Sequence, residues 1–128
     1  MAKIPPEVVE FLQEGHLAYV STVSPDGTPH CVPKGSVAYL DEEHLVFADL
    51  TVGQTRKNVE HNPSVAITVV NPAAYQGYEF SGTAEIVERG KEFDEIAAKV
   101  EDGQMDYTNA KHAVKVKVNQ IKNIGYWP

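Results

Sequence analysis

A single cysteine, Cys31, stands in this chain of 128 residues. One thiol can close no internal disulfide and build no cysteine cage for a metal. A reducing compartment such as the cytoplasm fits that usage. Long apolar runs are missing too, so no membrane span is expected. The opening Met1-Ala2-Lys3-Ile4-Pro5-Pro6 has no apolar stretch of the secretory kind, and no signal peptide is expected. Positive charge is scarce: 11 Lys and Arg stand against 18 Asp and Glu, a net charge of −7. A chain so balanced lacks the basic face that a phosphate backbone needs, which argues against nucleic acid as the main partner. The five histidines, His16, His30, His44, His61 and His112, have no spacing such as H-E-x-x-H, and no metal site is expected. Ser21, Asp26 and His30 lie close in sequence, but without Gly-x-Ser-x-Gly they suggest no hydrolase triad. Repeats, low-complexity tracts and linkers are also absent. Residues 1–128 therefore read as one domain, large enough to bury a core without staples.

What is present is mostly strand. Pro5-Pro6 before Glu7 to Glu14, with Gly15 after, predicts a short helix opened by proline and closed by glycine. Leu17 to Val23 is rich in β-formers. Ser24-Pro25-Asp26-Gly27 is a turn with proline second and glycine last. About Pro29 to Tyr39 follows as a second strand, giving a hairpin in which Cys31 is expected as a small core residue. Asp41-Glu42-Glu43 turns the chain again, and His44 to Asp49 is a third strand. Gln54 to His61 is a helix ended by Asn62-Pro63. Val65 to Val70 and Tyr78 to Glu88 are strands four and five, with a loop over Asn71 to Gly77. Lys91 to Glu101 is a helix with Phe93, Ile96, Ala97 and Val100 on one face. In the last strand, Ala113 to Val118, Val114, Val116 and Val118 alternate with Lys115, Lys117 and Asn119. Six strands in hairpin order with few short helices predict a mainly β fold, an antiparallel barrel or sheet.

The most informative stretch is Phe47-Ala48-Asp49-Leu50-Thr51-Val52-Gly53-Gln54-Thr55-Arg56-Lys57-Asn58. An apolar strand ends, a Thr/Gly turn follows, and a polar helix begins. The unpaired N–H groups of a helix start can hold a phosphate, and Gln54, Thr55, Arg56 and Lys57 add side-chain donors. The same stretch also reads as a plain strand-to-helix connection capped by Thr51 or Gly53. By the same measure, Lys34 reads as an exposed strand residue with a packed stem, and Asp49 as a strand-end acid.

The hairpin His16-Leu17-Ala18-Tyr19-Val20-Ser21-Thr22-Val23 to Asp26-Gly27-Thr28-Pro29-His30-Cys31-Val32-Pro33 resembles the opening of the pyridoxamine 5′-phosphate oxidase-like FMN-binding split barrels. Leu45-Val46-Phe47-Ala48, then Gln54-Thr55-Arg56-Lys57-Asn58-Val59 and Asn62-Pro63-Ser64-Val65-Ala66-Ile67, resemble that family's second block. Tyr78 to Ile86, with Gly82-Thr83-Ala84, resembles its third. No single block is specific; their order and spacing across residues 16 to 88 carry the resemblance. It implies a six-stranded antiparallel split β-barrel and a homodimer with FMN at the subunit interface. Pro33, Lys34, Gly35 and Ser36 would run along the flavin, with Ala48, Asp49, Leu50 and Thr51 near the ring and ribityl chain. Gln54 and Thr55 would meet the phosphate, and Trp127 would cover the partner's flavin. Gln54 departs from the Arg or Lys frequent in the family. Arg56 or Lys57 would then supply the charge, or the N–H cradle would suffice alone. The implied function is flavin-dependent oxidoreduction or electron carriage, with a small molecule or redox protein as substrate. The alternative is a binding or sensing module for flavin, haem or deazaflavin without turnover. The length resembles the family's small members, so pyridoxamine phosphate oxidation itself is not expected.

Overall fold

The computed structural model describes residues 2–50, 52–100 and 107–125. Helix α1 (Pro6–Gln13) precedes strands β1 (Ala18–Val23), β2 (Pro29–Lys34), β3 (Ala38–Asp41) and β4 (His44–Asp49). Helix α2 (Gln54–His61) leads to β5 (Ser64–Asn71) and β6 (Gln76–Val87), and α3 (Lys91–Val100) leads to β7 (His112–Asn123). The class is the expected one, mainly β and antiparallel. The strand count is seven rather than six, because the segment expected as one strand, Pro29 to Tyr39, is broken at Gly35-Ser36-Val37.

That break explains the architecture. The strands run in the order β2-β1-β5-β6-β7-β4-β3, so β2 and β3 form opposite edges of the sheet. They are also consecutive, joined by three residues, Gly35, Ser36 and Val37. So short a link forces the sheet to curl until its edges meet: a barrel split between β2 and β3. Proline has no N–H for a ladder and is tolerated at an edge, and β2 carries two, Pro29 and Pro33. Ser36 bridges the gap. Its hydroxyl donates to the Ala48 carbonyl at 2.9 Å and accepts from the Ala48 N–H at 3.1 Å. It thus stands in for the backbone partner that β3 would have offered had it extended two residues further.

Side-chain alternation decides what the barrel encloses. Leu45 and Phe47 of β4 pack inward with Val114, Val116 and Val118 of β7 and with Val20, Ile67 and Phe80. Val46 and Ala48, on the other face of β4, pack against Phe93, Ile96, Ala97 and Val100 of α3. The apolar face expected for α3 is therefore the cover of the barrel wall. β7 runs beyond the expected Val118 because β6 pairs with it as far as Tyr78 opposite Asn123. Its polar second half shows no alternation, so pairing rather than pattern makes it a strand. The register slips between Ser81 and Gly82. A Cβ on Gly82 would lie 2.3 Å from the Lys117 carbonyl oxygen, which explains glycine there. Cys31 is not a core residue: it is exposed, on the outward side of edge strand β2.

Candidate functional site

Among the described residues no side chain caps helix α2: Gly53 holds the N-cap position in extended conformation, and no acidic residue stands in the first turn. Its ladder opens with the Lys57 N–H on the Gly53 carbonyl at 3.3 Å. The N–H groups of Gln54, Thr55 and Arg56 precede that bond and have no helical acceptor. Gly53, Gln54 and Thr55 line one end of a cleft of about 300 Å³. Its far wall is β2, through His30, Val32, Pro33 and Lys34, and Asp49 closes it at the end of β4.

Three charged or titratable side chains meet at that closed end. The Lys34 Nζ donates to Asp49 Oδ1 at 2.6 Å, and Asp49 Oδ2 lies 3.1 Å from His112 Nε2. Asp49 and His112 are buried, at 5 % and 0 % exposure. Burial pushes the Asp49 carboxyl up, but hydrogen bonds from His112 and Lys34, and their charges, outweigh it and hold it below the ordinary carboxylate range. The Lys34 ammonium lies 5.6 Å from the centre of the Phe47 ring, a cation–π distance. Its side chain keeps 18 % exposure, enough to offer donors to the cleft.

The residues expected at the site divide into groups. Pro33, Lys34, Asp49, Gln54 and Thr55 line this cleft. Gly35 lines a second one of about 480 Å³, on the other side of the β2–β3 link, beside Gly15, His16 and Tyr39. Ser36 and Ala48 bind each other and serve the barrel seam. Leu50 lies just past β4 and is exposed, as is Val52. Thr51 and Trp127 lie outside the described residues. The Gln54 amide donates to Asn58 Oδ1 at 2.7 Å, and Asn58, fully buried, donates to Thr22 Oγ1 at 3.0 Å. Arg56 does not line the cleft. Its guanidinium is held by Glu60 and Glu88, away from the cleft. Lys57 is exposed and does not line the cleft. Backbone N–H groups at the start of α2 and the Lys34 ammonium are donors on the cleft wall. Among the described residues no group of three or more His, Cys, Asp or Glu could hold a metal ion.

Sequence reasoning missed His112, His30 and Val32. For His30 and Val32 a signal existed: in a strand with Lys34 inward, the residues two and four positions earlier share its face. His112 had none, since its partner Asp49 is distant in sequence.

The model of the pyridoxamine 5′-phosphate oxidase family matches residues 4–125. An uncharacterized protein of Methanocaldococcus jannaschii is 32% identical over 130 aligned residues, covering 100% of this chain and 85% of that one. The crystal structure of HupZ from Group A Streptococcus superposes with a TM-score of 0.83 at 31% identity, covering 95% of this chain and 94% of that one. An F420 reductase superposes with a TM-score of 0.74 at 25% identity, covering 93% and 98%.

Proposed function

The chain belongs to the pyridoxamine 5′-phosphate oxidase family, and from that membership and the cleft we propose that it binds FMN and works as a flavin-dependent oxidoreductase or electron carrier. The observation that carries this is the uncapped start of α2 opening into a cleft walled by Lys34. A flavin mononucleotide has a doubly charged end, a flat apolar ring and an acceptor-rich edge. The N–H groups of Gln54 and Thr55 suit the phosphate. Val32 offers apolar cover to the ring, and the Lys34 ammonium suits the acceptor edge. When bound, FMN would supply the electron or hydride transfer, and the protein would bind, orient and tune it. His30 and the Lys34–Asp49 pair are titratable side chains on the cleft, and the electron or hydride chemistry would rest with the cofactor. We further propose a homodimer closing over the ring. Leu50 and Val52, exposed at 39 % and 55 % beside the cleft, are the apolar side chains a second copy would cover. A cytoplasmic setting accords with the single cysteine.

The likeness to an F420 reductase favours a second ligand, a deazaflavin in the same cleft. Titration of the purified protein with FMN, riboflavin, F420 and haem separates these. FMN should quench on binding and bind roughly tenfold or more tighter than riboflavin, the worth of charge-assisted bonds to the phosphate. Preference for F420 selects the second reading. A colourless protein that ignores every flavin overturns both. Reduction of bound FMN by a nicotinamide donor would mark turnover rather than storage, and sizing of the loaded protein should give a dimer.

A further inference from the structure

We propose that His112 is a positioning residue that acts through Asp49 to hold the Lys34 ammonium against the wall of the cleft. Asp49 and His112 are direct register partners where β4 meets β7, so their side chains project from the same face. That face is the inward one, shared with Phe47 on β4 and Val114 on β7. The strand start is fixed from both sides. The Lys111 N–H bonds the Asp49 carbonyl at 2.8 Å. Arg89 clamps the run-in to β7 by donating to the carbonyls of Thr108 and Ala110, both at 2.8 Å.

A carboxylate only accepts, so the imidazole nitrogen facing it must carry the hydrogen. His112 therefore donates from Nε2, and its Nδ1 has no hydrogen-bond partner among the described residues. Asp49 spends one oxygen on His112 and the other on Lys34. With His112 behind it the carboxylate cannot swing toward the cleft, and Oδ1 stays where it takes one of the three lysine donors. The other two have no partner among the described residues and are open to a ligand. Without His112 the carboxylate gains rotational freedom and Lys34 follows it. The role of those two donors toward an acceptor edge rests on the flavin-binding reading above; the positioning itself does not.

The test compares His112→Leu with His112→Gln, which keeps an N–H donor near the Nε2 position. In the ligand-free protein, labelling of Lys34 by an amine-reactive reagent is followed by mass spectrometry and normalised to the exposed Lys3. His112→Leu should label Lys34 roughly threefold to fivefold faster, the loosening expected from one lost hydrogen bond. His112→Gln should return it close to the wild-type rate. In the FMN-loaded protein the flavin midpoint potential should move in the leucine variant and return in the glutamine one. Unchanged labelling in a folded leucine variant overturns the proposal, as does a glutamine variant that labels as fast as leucine. Should the leucine variant fail to fold, nitrogen NMR of the wild-type imidazole decides. A hydrogen on Nε2 is expected, and a ring with Nε2 bare overturns it. Failure of the wild type to bind FMN would refute the cofactor reading alone, since labelling and tautomer need no flavin.

Discussion

Replacing Ser36 by alanine removes one oxygen atom and, with it, both partners of the Ala48 peptide groups. Ser36 is buried at 3 % exposure, and its hydroxyl both donates to the Ala48 carbonyl and accepts from the Ala48 N–H. Each such bond contributes about 1 kcal/mol net, and an unsatisfied buried donor costs about 1–3 kcal/mol. Ser36→Ala should therefore destabilise the fold by about 2 kcal/mol, some 7 °C in Tm for a chain of this size. Urea and thermal unfolding of the variant beside wild type measure it, with Ser64→Ala, an exposed serine at the start of β5, as the control expected to change little. The cost should fall on the midpoint and leave the denaturant slope unchanged, because the surface exposed on unfolding is the same. Since Ser36 joins the link between the two edge strands to β4, FMN affinity should also fall, as Lys34 on β2 loses its fixed distance from Asp49. A variant within about 0.5 kcal/mol of wild type, the range of ordinary surface substitutions, would show that the Ala48 groups have other partners. The account of the barrel seam would then be wrong.

Gly82→Ala should cost about 2 kcal/mol or more through overpacking against the Lys117 carbonyl; Gly53→Ala, whose Cβ would meet open space, should cost far less, and thermal melts compare the two. Gln54→Glu places a carboxylate beside the phosphate end and should weaken FMN binding about tenfold while leaving riboflavin nearly unchanged; equal loss for both ligands in a fluorescence titration would remove the phosphate from the α2 start. The Asp49 carboxyl is held low in the fold, so its contribution to stability is complete above its unfolded value of about 3.9 and is lost as pH falls through the lower folded value. Asp49→Asn should flatten the acid limb of stability in that window, and urea unfolding at a series of acid pH values reads it. Asp26, lowered to about 2 by the Ser24 hydroxyl and then by Thr28, should titrate there by carboxyl NMR and move up in Ser24→Ala.

Where neighbours in sequence make the structure, the chain was legible. The start of α2 is one case: glycine, then a polar run ended by Asn62-Pro63, predicted Gln54 to His61, the bounds found. The apolar face of α3 is another, since a 3.6-residue period is a local property. The β2–β3 break was written in Pro33 and Gly35 but lay inside an otherwise continuous β-rich run. Only its place in the sheet, with β2 and β3 at opposite edges, makes the break necessary. The second half of β7 was not legible at all, because its strand character comes from β6. At the site the split is similar. Gln54, Thr55 and Asp49 were named from a contiguous junction. The Asp49–His112 contact spans the whole of β5, β6 and α3, and no local pattern announces it. Arg56 was open to either role until the fold put Glu88 beside it.

The most direct measurement is a crystal structure of the protein soaked in FMN. The phosphate is expected on the N–H groups of Gln54 and Thr55, with the ring running along β2 past Lys34. FMN bound at any other place, or an unfilled helix start in saturating FMN, would contradict it.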